Sequence, residues 1–386
     1  MRRPEIDWLR VGAVLLLVPF HTARIFDIWD PFYAKNAELS APLSYFVAVL
    51  NPWHMPLLFC LAGMSTWFAL RQRGAGAYLR ERAQRLLLPL LFGVAVVVPP
   101  QAYFGLLTHG GPAQSYLAFW PSFFNIRSED MSGYFGSFTP GHLWFILFLF
   151  ALSCLALPLF LRWRAPRYEI NWLSSVCSWR GGLFLLGVPL ALTDATPDLG
   201  GKNPAFYLLL FIYGYLLAAS PRVERAVERN AWLALALGLG SMTLYLTRTT
   251  LLPPGVPEWF GGALAHLLRS LNTWFWVLAL VGLGRRYLRA MPRGLQYASE
   301  ASYPFYILHQ TVIVMIGFYV VAWNAPIMLN FILIVGFSTV TSLSIYELLI
   351  RRLDILRALF GLRSRAGATG RRGVEPIHTT VRPSLG

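Results

Sequence analysis

The sequence predicts an all-α integral membrane protein of about ten transmembrane helices with both termini cytoplasmic, and three observations lead there. Hydrophobic residues make up 56% of the 386-residue chain and charged residues only 13%, too few to solvate a globular surface of this size. Fourteen Trp and seventeen Tyr suit two aromatic belts at the membrane interfaces. Cations fall in alternate loops: Arg2 and Arg3, Arg71 to Arg85, Arg162 to Arg180, Arg222 to Arg229, Arg285 to Arg293, and everything from Arg351 onward. The intervening loops hold only Lys35, Arg127, Lys202 and Arg248, with Asp30, Glu38, Glu129, Asp130, Asp198 and Glu258. The positive-inside rule puts the Arg-rich loops in the cytoplasm.

Apolar segments long enough to span are read at roughly 9–28, 43–70, 86–107, 142–161, 181–194, 204–219, 231–247, 262–283, 301–322 and 328–350. The fifth and sixth are short and carry Pro189 and Gly214. An even number of spans keeps both termini on one side, as the charges require. The first span starts near residue 8, exceeds a typical signal core and lacks a clear small-residue cleavage site, so it is expected to stay as a helix. These spans form one membrane domain over 1–358, and the polar, glycine-rich, basic stretch over 359–386 is expected to be a disordered cytoplasmic tail. The net charge of +15 is arranged along one membrane face, where anionic headgroups account for it, so it does not point to nucleic acid. Cys60, Cys154 and Cys177 form neither a disulfide framework nor a Cys-based metal motif.

Within the first span, Arg10 and His21 are eleven steps apart, nearly a whole number of turns. They share one helical face, about 16 Å apart along the axis. A charged group at mid-membrane costs about 2.5–3.5 kcal/mol on insertion scales, so the pair is expected to face a polar cavity or protein interior. Three further histidines lie at mid-to-outer depth on other spans. His54 sits in Asn51-Pro-Trp-His-Met-Pro56, where two prolines bend the helix and free backbone groups. His142 opens the fourth span in Gly141-His-Leu-Trp144, and His309 lies midway along the ninth. Each alone reads as a satisfied core histidine; four together favour a common polar site. They show no paired spacing and no carboxylate at i+3 or i+4, so neither a metal site nor a bound cofactor is expected.

At the cytoplasmic side, Arg82 and Arg85 are three apart and can share a face, able to grip a phosphate or simply to fix topology. Glu347 precedes Arg351 by four residues, which makes a local ion pair the simplest reading. A buried acid orienting a cation in the site is the alternative.

Taken together, Ile6-Asp-Trp-Leu-Arg10 with His21, Met55-Pro-Leu-Leu-Phe-Cys-Leu-Ala-Gly63, Arg82-x-x-Arg85, His142-Leu-Trp-Phe145, Ser302-Tyr303 with His309, and Tyr346-Glu347 resemble the acyltransferase-3 family of bacterial membrane O-acyltransferases. The resemblance runs up to Arg352 and is nearest the branch that succinylates periplasmic glucans. Ala62-Gly63-Met64 stands where the family usually has Ser-Gly-Phe, and Leu348-Leu349 follows Glu347 in place of the common proline. The resemblance implies an inner-membrane enzyme moving an acetyl or succinyl group from cytoplasmic acyl-CoA to a glycan or polysaccharide hydroxyl. In that frame His21, Arg10, His142 and Glu347 are catalytic candidates. Arg82, Arg85, His54, Trp144, Tyr303 and His309 are candidates for binding acyl-CoA or acceptor, with His142, Trp144, Tyr303 and His309 near the developing oxyanion. The same polar cavity also suits a glycan or lipid-linked sugar transporter, and a non-catalytic envelope scaffold is a third reading.

Overall fold

A computed structural model describes residues 3–29, 31–164, 175, 176, 179, 181–251 and 256–363. The chain is helical, with an isolated bridge between Leu199 and Lys202 as the extended pairing among the described residues. Helix α1 (Pro4–Ala23) opens on a proline, whose missing N–H costs nothing at a first helical position, and carries Glu5 and Asp7 in its first turn. The expected bend around Pro52 is a break: α2 (Ala41–Leu50) and α3 (His54–Gln72) are separate helices. Then come α4 (Ala75–Thr108), interrupted by wider π turns at Ala83–Leu87 and Gly93–Val97, and the short α5 (Tyr116–Ser122). These precede α6 (Trp144–Arg164), α7 (Gly182–Asp194), α8 (Pro204–Ala219), α9 (Pro221–Arg229), α10 (Ala231–Leu251) and α11 (Glu258–Tyr287). The last three are α12 (Arg293–Val320), α13 (Ile327–Ile345, prolonged by a π turn over Tyr346–Ile350) and α14 (Asp354–Leu359).

Each of the ten apolar segments is thus helical, but among the described residues seven helices are long and apolar enough to cross a membrane. The number is eight if α8 and α9, which meet at 104°, are taken as one span. Helix α7 is short, and α10 carries Ser241, Thr243, Thr247 and Arg248 along its second half.

Side-chain pairings give each helix a direction. Along α1 and α12, Arg10 meets Ser299 and His21 meets His309, so these helices run parallel in register. Phe59 meets Tyr207 and Trp67 meets Tyr215, so α3 and α8 are parallel. Trp232 meets Tyr287 and Asn272 bonds to Ser241, so α10 and α11 are antiparallel. So are α7 and α11, through Trp274 with Leu183 and His266 with Asp194. The bundle therefore has two ends, an arginine end marked by Arg10 and Arg82 and a histidine end marked by His21, His54 and His142.

Backbone proximity fixes the α3–α8 pair. A Cβ on Gly63 would sit 2.0 Å from the Phe211 carbonyl, and one on Gly214 would sit 1.9 Å from the Cys60 carbonyl. Glycine here is what lets two helices touch backbone to backbone. The packed chain also continues past residue 358, since Phe360 is buried and its ring meets Phe92 at 5.5 Å; residues 364–386 of the expected tail lie outside the described residues, as does Cys177. Gly214→Ala should separate α3 from α8 and destabilise the fold by about 1–3 kcal/mol, the usual cost of overpacking. Thermal unfolding in detergent checks this, with Gly76→Ala, which meets nothing within 4 Å, as the neutral control.

Candidate active site

Helices α1, α3, α6 and α12 bring the four histidines together at one end. A cavity of about 790 Å³ lies there, lined by His21, His54 and His142 together with Trp144, Tyr207, Tyr306 and Gln310. His309 is fully buried behind the wall, its ring 5.2 Å from that of His21 and 5.1 Å from that of His142. Convergence, which spacing along the chain leaves open, is what the fold supplies.

The four imidazoles are held differently. The Nε2–H of His54 donates to the Ala13 carbonyl at 2.6 Å. His142 has both nitrogens engaged: Nε2–H donates to the Ile307 carbonyl at 2.9 Å, and Nδ1 accepts from the Gln101 amide at 3.2 Å. The Tyr306 hydroxyl donates to the His142 carbonyl and anchors the helix entry. Gln101 is itself fixed, donating to Thr311 at 2.7 Å and accepting from Gln310 at 2.9 Å, while Thr311 donates to the Val97 carbonyl at 2.7 Å. His309 donates through Nδ1 to the Tyr306 carbonyl at 2.6 Å, and its buried Nε2 has no hydrogen-bond partner. The Nδ1 of His21 is likewise buried without one, and the ring stacks against Phe32 at 6.2 Å.

Two cations at the cavity rim escape a reading based on histidines. Arg24, one turn beyond His21, pairs with the fully buried Asp27 at 2.6 Å, and Lys35 reaches the same carboxylate at 2.5 Å. Lys202 lies over the Trp144 ring at 5.3 Å, and burial lowers its pKa, with Arg24 and Arg269 pushing the same way against Asp198. Asp130 also lines the cavity but is spent on structure, accepting from the backbone N–H groups of Tyr134, Phe135 and Ser137 and from the Ser137 hydroxyl. Polar side chains inside otherwise apolar spans (Gln101, Gln310) were the available sequence signal for the network; nothing in the pattern singled out Arg24 or Lys202.

The remaining candidates sit elsewhere. Arg10 bonds Asp7 at 2.5 Å and Ser299 at 2.6 Å at the arginine end, as its spacing from His21 requires. Arg82 and Arg85 do not act as one fork, because the π turn at Ala83–Leu87 rotates them apart. Arg82 turns inward to Thr66 at 2.9 Å and over the Tyr78 ring at 4.9 Å, while Arg85 faces Glu81 at 3.5 Å. Tyr303 belongs with these arginines and not with the oxyanion position: its ring meets the Gly361 backbone, and it feels the charges of Arg85 and Arg82. Tyr306, three residues on, occupies the position beside the histidines. Glu347 forms the local pair with Arg351 at 2.9 Å and lies outside the cavity lining, so the geometry supports the simple reading of that acid. Arg10, Arg82 and Arg85 are also absent from the lining. Among the described residues, no group of three or more His, Cys, Asp or Glu is arranged to hold a metal ion.

A family model described as an acyltransferase domain matches residues 3–347. The chain is also similar to glucans biosynthesis protein C of Escherichia coli O157:H7 and of Escherichia coli strain K12. Each is 22% identical over 377 residues, covering 92% of this chain and 93% of the relative. No solved structure matches.

Asp27 binds two cations from a fully buried position, so Asp27→Asn should weaken the rim without emptying the cavity. The expected loss is about 1.5–3 kcal/mol, the range for a hydrogen bond to a charged group, read as a lower melting temperature in detergent.

Proposed function

The chain belongs to the acyltransferase domain family, and from that premise we propose that this multi-pass membrane O-acyltransferase moves an acetyl or succinyl group from cytoplasmic acyl-CoA to a hydroxyl of a periplasmic or cell-surface glycan. The arginine end faces the cytoplasm of a bacterial inner membrane, and the histidine end faces outward. Ten crossings with both termini inside accompany this reading. It is supported by the alternating helix directions: α1 and α12 can run parallel only if an odd number of the segments α7, α8 and α10 also cross.

The observation that carries the proposal is the meeting of imidazoles from four separate helices at one cavity, at the opposite end of the bundle from Arg10, Arg82 and Arg85. Phosphates of the donor bind at the arginine end through charge-assisted hydrogen bonds. The pantetheine arm passes along α1, where about 16 Å of helix separates Arg10 from His21, and delivers the thioester to the cavity. His21 removes the proton of the acceptor hydroxyl as its oxygen attacks the thioester carbonyl; the C–S bond then breaks and CoA leaves as the thiol. Trp144, Lys202 and Arg24 line the same space and favour negative charge on the carbonyl oxygen.

Purified protein in lipid nanodiscs, given labelled acyl-CoA and glycan, should release free CoA and label the glycan; a transporter or scaffold does neither. His21→Ala should lower the rate roughly 10²–10⁴-fold, the range of general-base catalysis. Arg82→Ala and Arg85→Ala should raise the KM for acyl-CoA about 10-fold or more and leave kcat nearer wild type, as loss of a charge-assisted bond of about 1.5–3 kcal/mol predicts. An unchanged rate in His21→Ala would remove His21 from the mechanism.

A further inference from the structure

We infer that His309 is a positioning residue for His21: its Nε2 accepts the Nδ1–H of His21 and so keeps the Nε2 of His21 unprotonated, as the base that faces the acceptor hydroxyl. The inference rests on the proposed role of His21.

Neutral His309 carries its proton on Nδ1. Its Nδ1 donates to the Tyr306 carbonyl at 2.6 Å, an acceptor that cannot supply a proton. In the neutral ring, Nε2 is then the acceptor. A protonated His309 would bury a charge at a fully enclosed position with no carboxylate bonded to it, which is costly. That acceptor is buried and has no hydrogen-bond partner.

The complementary atom lies on the facing ring. His21 Nδ1 is also buried without a partner, and the two ring centres are 5.2 Å apart. An imidazole is about 1.1 Å in radius, so an in-line N–H···N bond of about 3.0 Å puts ring centres about 5.2 Å apart. The rings are tilted by 42°, so the bond forms when the side chains turn their nitrogens toward each other. Two buried, unpartnered nitrogens on rings at that separation form a donor–acceptor pair once His21 carries its proton on Nδ1 and the nitrogens turn to face each other. An acceptor that bonds the ring's far nitrogen and fixes its tautomer is the usual means of orienting a working imidazole. His142 is excluded from the role, because Gln101 and the Ile307 carbonyl already occupy both of its nitrogens. During transfer the proton taken from the acceptor goes to His21 Nε2, the Nδ1–H remains bonded to His309, and the Nε2 proton is passed to the departing thiolate.

The groups facing His21 are His309, His142, His54 and Arg24, and of these His309 is the one whose ring lies against that of His21 with a buried, unpartnered Nε2. His309→Leu removes it; His309→Gln restores an acceptor oxygen near the same place. We expect His309→Leu to lower kcat roughly 100-fold, with KM for acyl-CoA within a few-fold of wild type. Its pH–kcat profile should change in shape, and His309→Gln should recover a substantial part of the rate. Independently of turnover, acylation of His21 by diethyl pyrocarbonate, read by peptide mass spectrometry, should slow in His309→Leu and recover in His309→Gln. Wild-type kcat, pH profile and labelling rate in His309→Leu would overturn the inference, as would equal impairment of both variants once folded protein is matched by size-exclusion chromatography. Loss of activity in His21→Ala with none in His309→Leu would sink only this inference. Full activity in His21→Ala would sink the base assignment itself.

Discussion

The parallel, in-register packing of α1 against α12 is the constraint on which the rest of the site depends. Arg10 bonds to Ser299 at one end and His21 faces His309 at the other, so a single helix pair sets both the distance and the alignment between the two polar ends. The register is further held where Gly317 lets Ile25 lie against the helix: a Cβ there would come within 2.6 Å of the isoleucine side chain. A one-residue slip of α1 would turn Arg10 and His21 by about 100° and remove both contacts together.

Around that pair, buried polar groups have to be satisfied by protein, since hydrocarbon offers nothing. The network Gln310–Gln101–Thr311–Val97 does this for Gln101 and Thr311, leaves the buried Oε1 of Gln310 without a partner, and uses the remaining Gln101 amide hydrogen to fix His142. The consequence is a division of labour. His54 and His142 are tied to backbone carbonyls and hold α1, α3, α6 and α12 together, whereas His21 and His309 keep buried nitrogens that have no partner. Counting histidines cannot separate these roles, because the partners that distinguish them are backbone carbonyls and glutamines distant in sequence.

Much of the architecture was legible in the chain. Each apolar segment became a helix, the chain breaks at Pro52 where the prolines predict a bend, and the eleven-residue spacing put Arg10 and His21 at opposite ends of one face. The weak segments were weak for a visible reason: α7 has only Gly182–Asp194, and α8 turns through 104° into α9. What spacing did not give was local winding and tertiary approach. The three-residue interval between Arg82 and Arg85 implies one face in an α-helix, but the π turn starting at Ala83 breaks that geometry. Tyr303 and Tyr306 differ by less than one turn, yet their neighbours differ completely: Gly361 and the arginines for one, His142 and His309 for the other.

The carboxylates complete the argument for imidazole chemistry. Asp27 is fully buried and committed to Arg24 and Lys35, and Asp130 is committed to four donors of its own loop. Asp194 is held by His266 and Arg269. Glu129, the other acid in the cavity lining, is exposed at the rim beside Ser128. Each of these acids is therefore either consumed in pairing at the histidine end or placed in solvent. On the proposed function, proton transfer inside the cavity then falls to an imidazole, with His21 as the base and His309 behind it, the pair whose buried nitrogens have no partner.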